Sequence, residues 1–117
     1  MAAEIRVLIV DDSELVQEVL RSIFQSASEL AVAGVAGNGR EAVELTAKLR
    51  PDVIVMDINM PELDGLEATQ KIMAYYPTPI LILTSMDGAE VAFQALSNGA
   101  LEVMEKPELD AEKCREL

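Results

Sequence analysis

The chain has 117 residues, half of them apolar, with 21 acidic residues against 9 basic ones and a formal net charge of −12. That length and apolar content suit one domain with a real core, and the acidic balance argues against binding nucleic acid or an anionic membrane through it. There is no histidine, which excludes a histidine-based catalytic triad and removes the commonest transition-metal ligand.

The opening MAAEIRVLIVDD carries a short apolar run, IRVLIV (5–10), that meets two aspartates. A secretory signal would have a longer run and a small-residue cleavage site. The run reads as a first strand. Leu15, Val16, Val19, Leu20, Ile23 and Phe24 then repeat with helical spacing and predict an amphipathic helix. LAVAGVA (30–36) reads as a second strand built of small residues. Asn38 followed by Glu41 resembles a capping box, so a second helix is expected to run toward Leu49 and to stop at Arg50-Pro51.

VIVM (53–56) is a third strand. Asp64 and Glu67 repeat the capping spacing before a third helix carrying Leu66, Met73 and Tyr76. ILIL (80–83) is a fourth strand. Val91, Ala92, Ala95 and Leu96 mark a fourth helix, stopped by Asn98-Gly99. LEVM (101–104) is a fifth strand, and a further helix can begin near Glu108. No apolar run approaches the ~20 residues needed to cross a bilayer. The lone Cys114 cannot form an internal disulfide, and a reducing cytoplasm is the expected compartment.

Strands alternating with helices predict an α/β domain with a parallel sheet. VLIV, VIVM and ILIL are continuously apolar, as strands covered by helices on both faces should be. LEVME interleaves Glu102 and Glu105 with apolar residues, and LAVAGVA is small throughout, so these two belong at the edges. The expected fold is a flavodoxin-like, doubly wound five-stranded parallel sheet of order 2-1-3-4-5, with helices on both faces.

Such sheets bind ligands outside the carboxyl ends of their strands. Strand one is followed there by Asp11, Asp12 and Ser13. Strand three is followed by Asp57, Ile58 and Asn59, strand four ends in Thr84 and Ser85, and strand five leads to Lys106 and Pro107. At ~4 Å and an effective dielectric of ~20, each pair of carboxylates costs about 4 kcal/mol. A proton or a cation must relieve that repulsion. With no histidine and one cysteine, a hard oxygen-seeking ion such as Mg²⁺ suits the set better than zinc.

A carboxylate-held cation, a hydroxyl and a lone lysine together suit phosphoryl transfer, with an aspartate as nucleophile. Asp57, alone at the end of a central strand, is the best nucleophile. Asp11 and Asp12 look like a paired metal seat, while Thr84 and Lys106 are placed to contact phosphoryl oxygens. Taken singly, each aspartate reads as a helix cap or turn residue. The ordered set gives them a joint meaning. Ser85 reads as an ordinary strand-end hydroxyl, Asp64-Gly65 as turn chemistry, and Met56 and Met60 as packing. GVAGNG (34–39) lacks the dinucleotide-binding spacing, and DINMPELDG has Pro61 where a calcium loop needs a ligand.

VLIVDDS, VIVMDINMPELDG, ILILTS and EKP, in this order, resemble the receiver domain of two-component response regulators across nearly the whole chain. The resemblance implies that Asp57 is the phosphoacceptor and that a sensor histidine kinase is the donor. It implies that Asp12 and Asp57 ligate Mg²⁺ by their side chains, Asn59 by its backbone carbonyl, and Asp11 through water. Thr84 would be the switch hydroxyl and Lys106 the phosphoryl contact, preceding a bond to Pro107 that is often cis in the family.

The run from GNGREAVELTAKLRPD to GLEATQKIM, then PTPILILTS and GALEVMEKP, is most similar to receivers of chemotaxis-type protein-glutamate methylesterases. There the receiver restrains an esterase domain until it is phosphorylated. Residues 1–117 are accordingly expected to form one receiver cut from a longer regulator, its last helix short. A stand-alone regulator is the alternative. An output domain or target protein would engage the region of helix four and strand five. One position departs from the pattern: Val103 stands where the family usually has an aromatic switch residue.

The chain would be a switch with only self-catalysed phosphotransfer and dephosphorylation. Two readings compete with it. An aspartate-nucleophile phosphatase of the haloacid dehalogenase type would place D-x-D after its first strand, where this chain has Asp11-Asp12. A receiver-like module that no longer accepts phosphate would lack some of these groups, and none is missing.

Overall fold

A computed structural model describes residues 4–57, 65–84, 97, 99, 100 and 102–105, with Thr84 and residues 102–105 described through their backbone alone. The elements are β1 (Ile5–Val10), α1 (Glu14–Gln25), β2 (Leu30–Ala36), α2 (Gly39–Leu49), β3 (Val53–Asp57), α3 (Gly65–Tyr75), β4 (Ile80–Thr84) and β5 (Glu102–Glu105). The strands form one parallel sheet of order β2-β1-β3-β4-β5. The small-residue strand and the glutamate-interleaved strand are the two edges, as their composition implies.

The alternation of side chains along β1 divides the core in two. Leu8 and Val10 join Ile54, Met56, Ile80 and Ile82 on one face, against Ala42 of α2 and Ala68 and Ile72 of α3. Val7 and Ile9 join Val55 and Leu83 on the other face, against Val16 and Leu20 of α1. Both faces of the central strands are thus covered, which is why their sequences read as unbroken apolar runs.

The pairing of β1 with β2 slips by one residue between Val7 and Leu8, so Val7 faces Val32 while Leu8 faces Gly34. A Cβ at Gly34 would sit 2.8 Å from Leu49 Cδ1. The missing side chain lets the end of α2 lie close on the edge strand.

The boundaries of α2 and the start of α1 have chemical causes. Ser13 caps α1, its Oγ accepting from the Val16 N–H at 3.3 Å. Asn38 caps α2, its Oδ1 accepting from the Glu41 N–H at 2.8 Å, while its Nδ2 donates to Glu41 Oε1 at 3.1 Å. Asn38→Ala should therefore lower stability by about 1 kcal/mol, measured as a shift in the urea midpoint at unchanged slope.

At the far end of α2, Arg50 takes the left-handed conformation, φ 49°. Its guanidinium lies 4.8 Å from the centre of the Tyr76 ring. Arg6 Nη1 donates to the carbonyls of Leu49 (2.8 Å) and Arg50 (3.1 Å), and the Arg6 N–H donates to Asp52 Oδ2 (2.8 Å). One arginine from β1 thus closes the negative end of α2. Removing it in Arg6→Met should cost roughly 1–2 kcal/mol in thermal or urea unfolding.

Three sequence expectations are refined. Leu15 belongs to the apolar stripe of α1 by spacing, yet it is 60% exposed. Val16 and Leu20, one helical turn apart, face the sheet, and Leu15 is turned about 100° from Val16. Tyr76 falls just past α3, although its N–H still donates to the Ile72 carbonyl at 2.7 Å. The fifth strand runs one residue past the expected Met104, to Glu105, and Leu101 lies outside the described residues. The Asp64 cap, the fourth helix from Val91 to Leu96 and the helix after Glu108 also lie outside them. Gly99, expected to stop the fourth helix, has φ 106°, and a Cβ there would lie 2.9 Å from Met73 Cγ.

Candidate functional site

The sheet register brings the site together. Val10 pairs with Met56 across β1 and β3, and the next residues on each strand are Asp11 and Asp57. Asp57 in turn pairs with Leu83, one residue before Thr84, and Thr84 pairs with Glu105, one residue before Lys106. Two central strands therefore deliver their carboxylates side by side at the carboxyl edge. One carboxylate oxygen each from Asp11, Asp12 and Asp57 lie within 4.8 Å of one another. Asp11 is fully buried, Asp57 is 3% exposed, and Asp12 is exposed. The cluster is open on one side and rests on apolar core on the other.

The β1–α1 turn is tightly tied. The Asp11 N–H continues the ladder to the Ala36 carbonyl at 3.0 Å. Asp11 Oδ1 accepts from the Ser13 N–H at 2.9 Å. Gln17 Nε2, from the second turn of α1, donates to the Asp11 carbonyl at 2.5 Å. Behind Asp57, Met56 is fully buried. Its sulfur lies 3.9 Å from the Thr69 hydroxyl, which donates to the Gly65 carbonyl at 2.7 Å.

Of the residues expected from sequence, Asp11, Asp12 and Asp57 come together. Thr84 lies at the carboxyl end of β4 by its backbone. Asn59, Ser85, Lys106 and Pro107 lie outside the described residues, and Val103 is placed by its backbone opposite Ile82 in β5. The sequence places Ser13 at this edge without a role, and it does not mark Gln17. Serine directly before an amphipathic run is a legible N-cap signal. Nothing local announces that Gln17 reaches back across the turn.

Chemically the cluster is a hard, anionic, all-oxygen donor set at an edge open to water. It fits a small divalent cation that keeps some waters, Mg²⁺ above all. A carboxylate in such a set also has the chemistry of a nucleophile toward phosphorus.

The chain belongs to the response regulator receiver domain family, whose model matches residues 7–116. Receivers are regulatory modules that work with histidine kinases and output domains. The chain is 53% identical over 108 residues to a protein-glutamate methylesterase/protein-glutamine glutaminase of Carboxydothermus hydrogenoformans, a match covering 91% of this chain and 30% of that protein. It is 49% identical to the corresponding enzyme of Methanococcus maripaludis, over 90% of this chain and 29% of the relative. The chain thus spans less than a third of the curated relatives it matches.

Among solved structures it resembles the response regulator domain of Thermotoga maritima CheB, with a TM-score of 0.88, 42% identity and coverage of 97% and 87%. It also resembles the CheX–CheY–BeF3–magnesium complex from Borrelia burgdorferi, with a TM-score of 0.86, 27% identity and coverage of 97% and 86%. Among the described residues, no helix is long and apolar enough to cross a membrane.

Proposed function

We propose that this receiver accepts a phosphoryl group onto Asp57 from a phosphohistidine of a sensor histidine kinase and thereby switches a signalling surface. The observation that carries this reading is the convergence of Asp11, Asp12 and Asp57 within 4.8 Å at the carboxyl edge of the two central strands. A carboxylate oxygen of Asp57 attacks phosphorus, forming an O–P bond as the P–N bond to the donor imidazole breaks. Asp12 and Asp57 would hold Mg²⁺ by their side chains and Asn59 by its backbone carbonyl, with Asp11 acting through water. The bound cation supplies neutralisation of the charge on the transferred oxygens. Thr84 donates to a second phosphoryl oxygen, and Lys106 pairs with a third.

The methylesterase relatives support a finer reading, in which this receiver regulates a chemotaxis-type methylesterase output in the cytoplasm. The signalling surface is the region of helix four and β5, where Val103 replaces the family's aromatic residue.

Incubation with Mg²⁺ and acetyl phosphate, read by intact mass, tests the phosphoacceptor. A single phosphoryl adduct is expected, absent in EDTA and absent in Asp57→Asn; an unmodified wild-type mass overturns the reading. Amide spectra with and without beryllofluoride test the output surface. Shifts should extend from the carboxylate cluster to Val103, and shifts confined to the cluster would contradict transmission through β5.

A further inference from the structure

The two adjacent aspartates are joined by one peptide group, and its orientation sets how their carboxylates are presented together. That peptide is held from an unexpected direction. Its carbonyl, that of Asp11, accepts from Gln17 Nε2 at 2.5 Å. Gln17 is half-buried in α1, and its own backbone N–H donates to the Ser13 carbonyl at 3.0 Å. The remaining groups of Asp11 that fix the turn are held by other elements: its N–H by Ala36 of β2, and Oδ1 by the Ser13 N–H. Three bonds from three places thus immobilise Asp11 on both sides of its Cα. The Gln17 bond is the one of these three that acts on the peptide leading to Asp12. Asp12 itself is exposed, so its aim depends on that peptide plane.

We infer that Gln17 is a positioning residue: by donating to the Asp11 carbonyl it fixes the Asp11–Asp12 peptide and so sets the affinity of the carboxylate cluster for a divalent cation. The inference rests on the cation-binding reading proposed above. A group that orients a metal ligand without touching the metal commonly accounts for 10–100-fold in affinity. Gln17 is one step removed from the carboxylates, so an effect near the lower end is expected.

The variant is Gln17→Met, which keeps the length and helix propensity of the side chain and removes the donor. Mg²⁺ binding is measured by calorimetry, alongside thermal unfolding in EDTA. The expected result is Mg²⁺ affinity weakened about tenfold, with unfolding in EDTA nearly unchanged. Equal Mg²⁺ affinity in variant and wild type overturns the inference. So does an affinity loss that merely accompanies a matching loss of stability in EDTA, because that is a structural role. If wild type itself shows no Mg²⁺ binding, the cation-binding reading fails instead. A second measurement needs no variant. The side-chain amide protons of Gln17 in wild type should exchange with solvent more slowly than those of exposed Gln25, and equal rates overturn the inference.

Discussion

Asp57→Asn is expected to make the chain more stable in EDTA while leaving it unable to respond to Mg²⁺ or to a phosphodonor. Asp57 is almost fully buried, and its carboxylate lies within 4.8 Å of two others. At about 5 Å and an effective dielectric of about 20, each like-charge contact costs roughly 3 kcal/mol. Asp12 is exposed and its share is screened, so the net gain on removing the charge should be about 1–3 kcal/mol. Asparagine keeps the shape, and its new N–H donors can face the oxygens of Asp11 and Asp12.

Wild type, in contrast, should gain about 1.4 kcal/mol from Mg²⁺ at ten times its Kd, and the variant should gain much less. Urea unfolding of both proteins, in EDTA and in Mg²⁺, provides the four values needed. A variant that is less stable in EDTA, or that responds to Mg²⁺ as wild type does, would contradict the electrostatic account of the site.

The second large effect is in the core. Ile54 lies in the central strand β3 with no exposed surface, packed among Leu8, Met56, Ile80 and Ile82. Ile54→Ala should cost about 3–4 kcal/mol through lost burial and the cavity left behind. For a chain of this length that corresponds to a fall in Tm of roughly 12–16 °C. Leu15→Ala, at 60% exposure, should change stability by less than about 0.5 kcal/mol. The pair is a direct comparison of pattern with packing, because Leu15 belongs to the apolar stripe of α1 by spacing. If Leu15→Ala destabilised the chain as a core substitution does, the burial described for α1 would be wrong.

Most of the architecture is legible in the sequence because the sheet is covered on both faces. Full coverage demands unbroken apolar strands, and VLIV, VIVM and ILIL satisfy that demand locally. Edge strands are marked by the opposite signs, small residues in β2 and the two glutamates, Glu102 and Glu105, in β5. The second helix is bounded by Asn38 and Glu41 at its start and Arg50-Pro51 at its end, all within a turn of the boundaries they set. The aspartates could be singled out for the same reason: they stand at the carboxyl ends of strands, and the carboxyl edge of a parallel sheet is where such residues meet.

Other features depend on residues far apart in the chain. Arg6 closes the end of α2 across more than forty positions, and no local spacing encodes that contact. Leu15 and Val16 are adjacent and similar, and only the seating of α1 on the sheet separates an exposed side chain from a buried one.

The sequence by itself determined the order and type of the described elements, the strand order and the identity of the clustered acids, because these follow from period, composition and position at a strand end. The tertiary structure alone decided that Asp11 and Asp57 are buried while Asp12 is exposed, and that Gln17 holds the peptide between the paired aspartates. Burial and side-chain reach depend on how elements pack in three dimensions, and a linear pattern carries no measure of either.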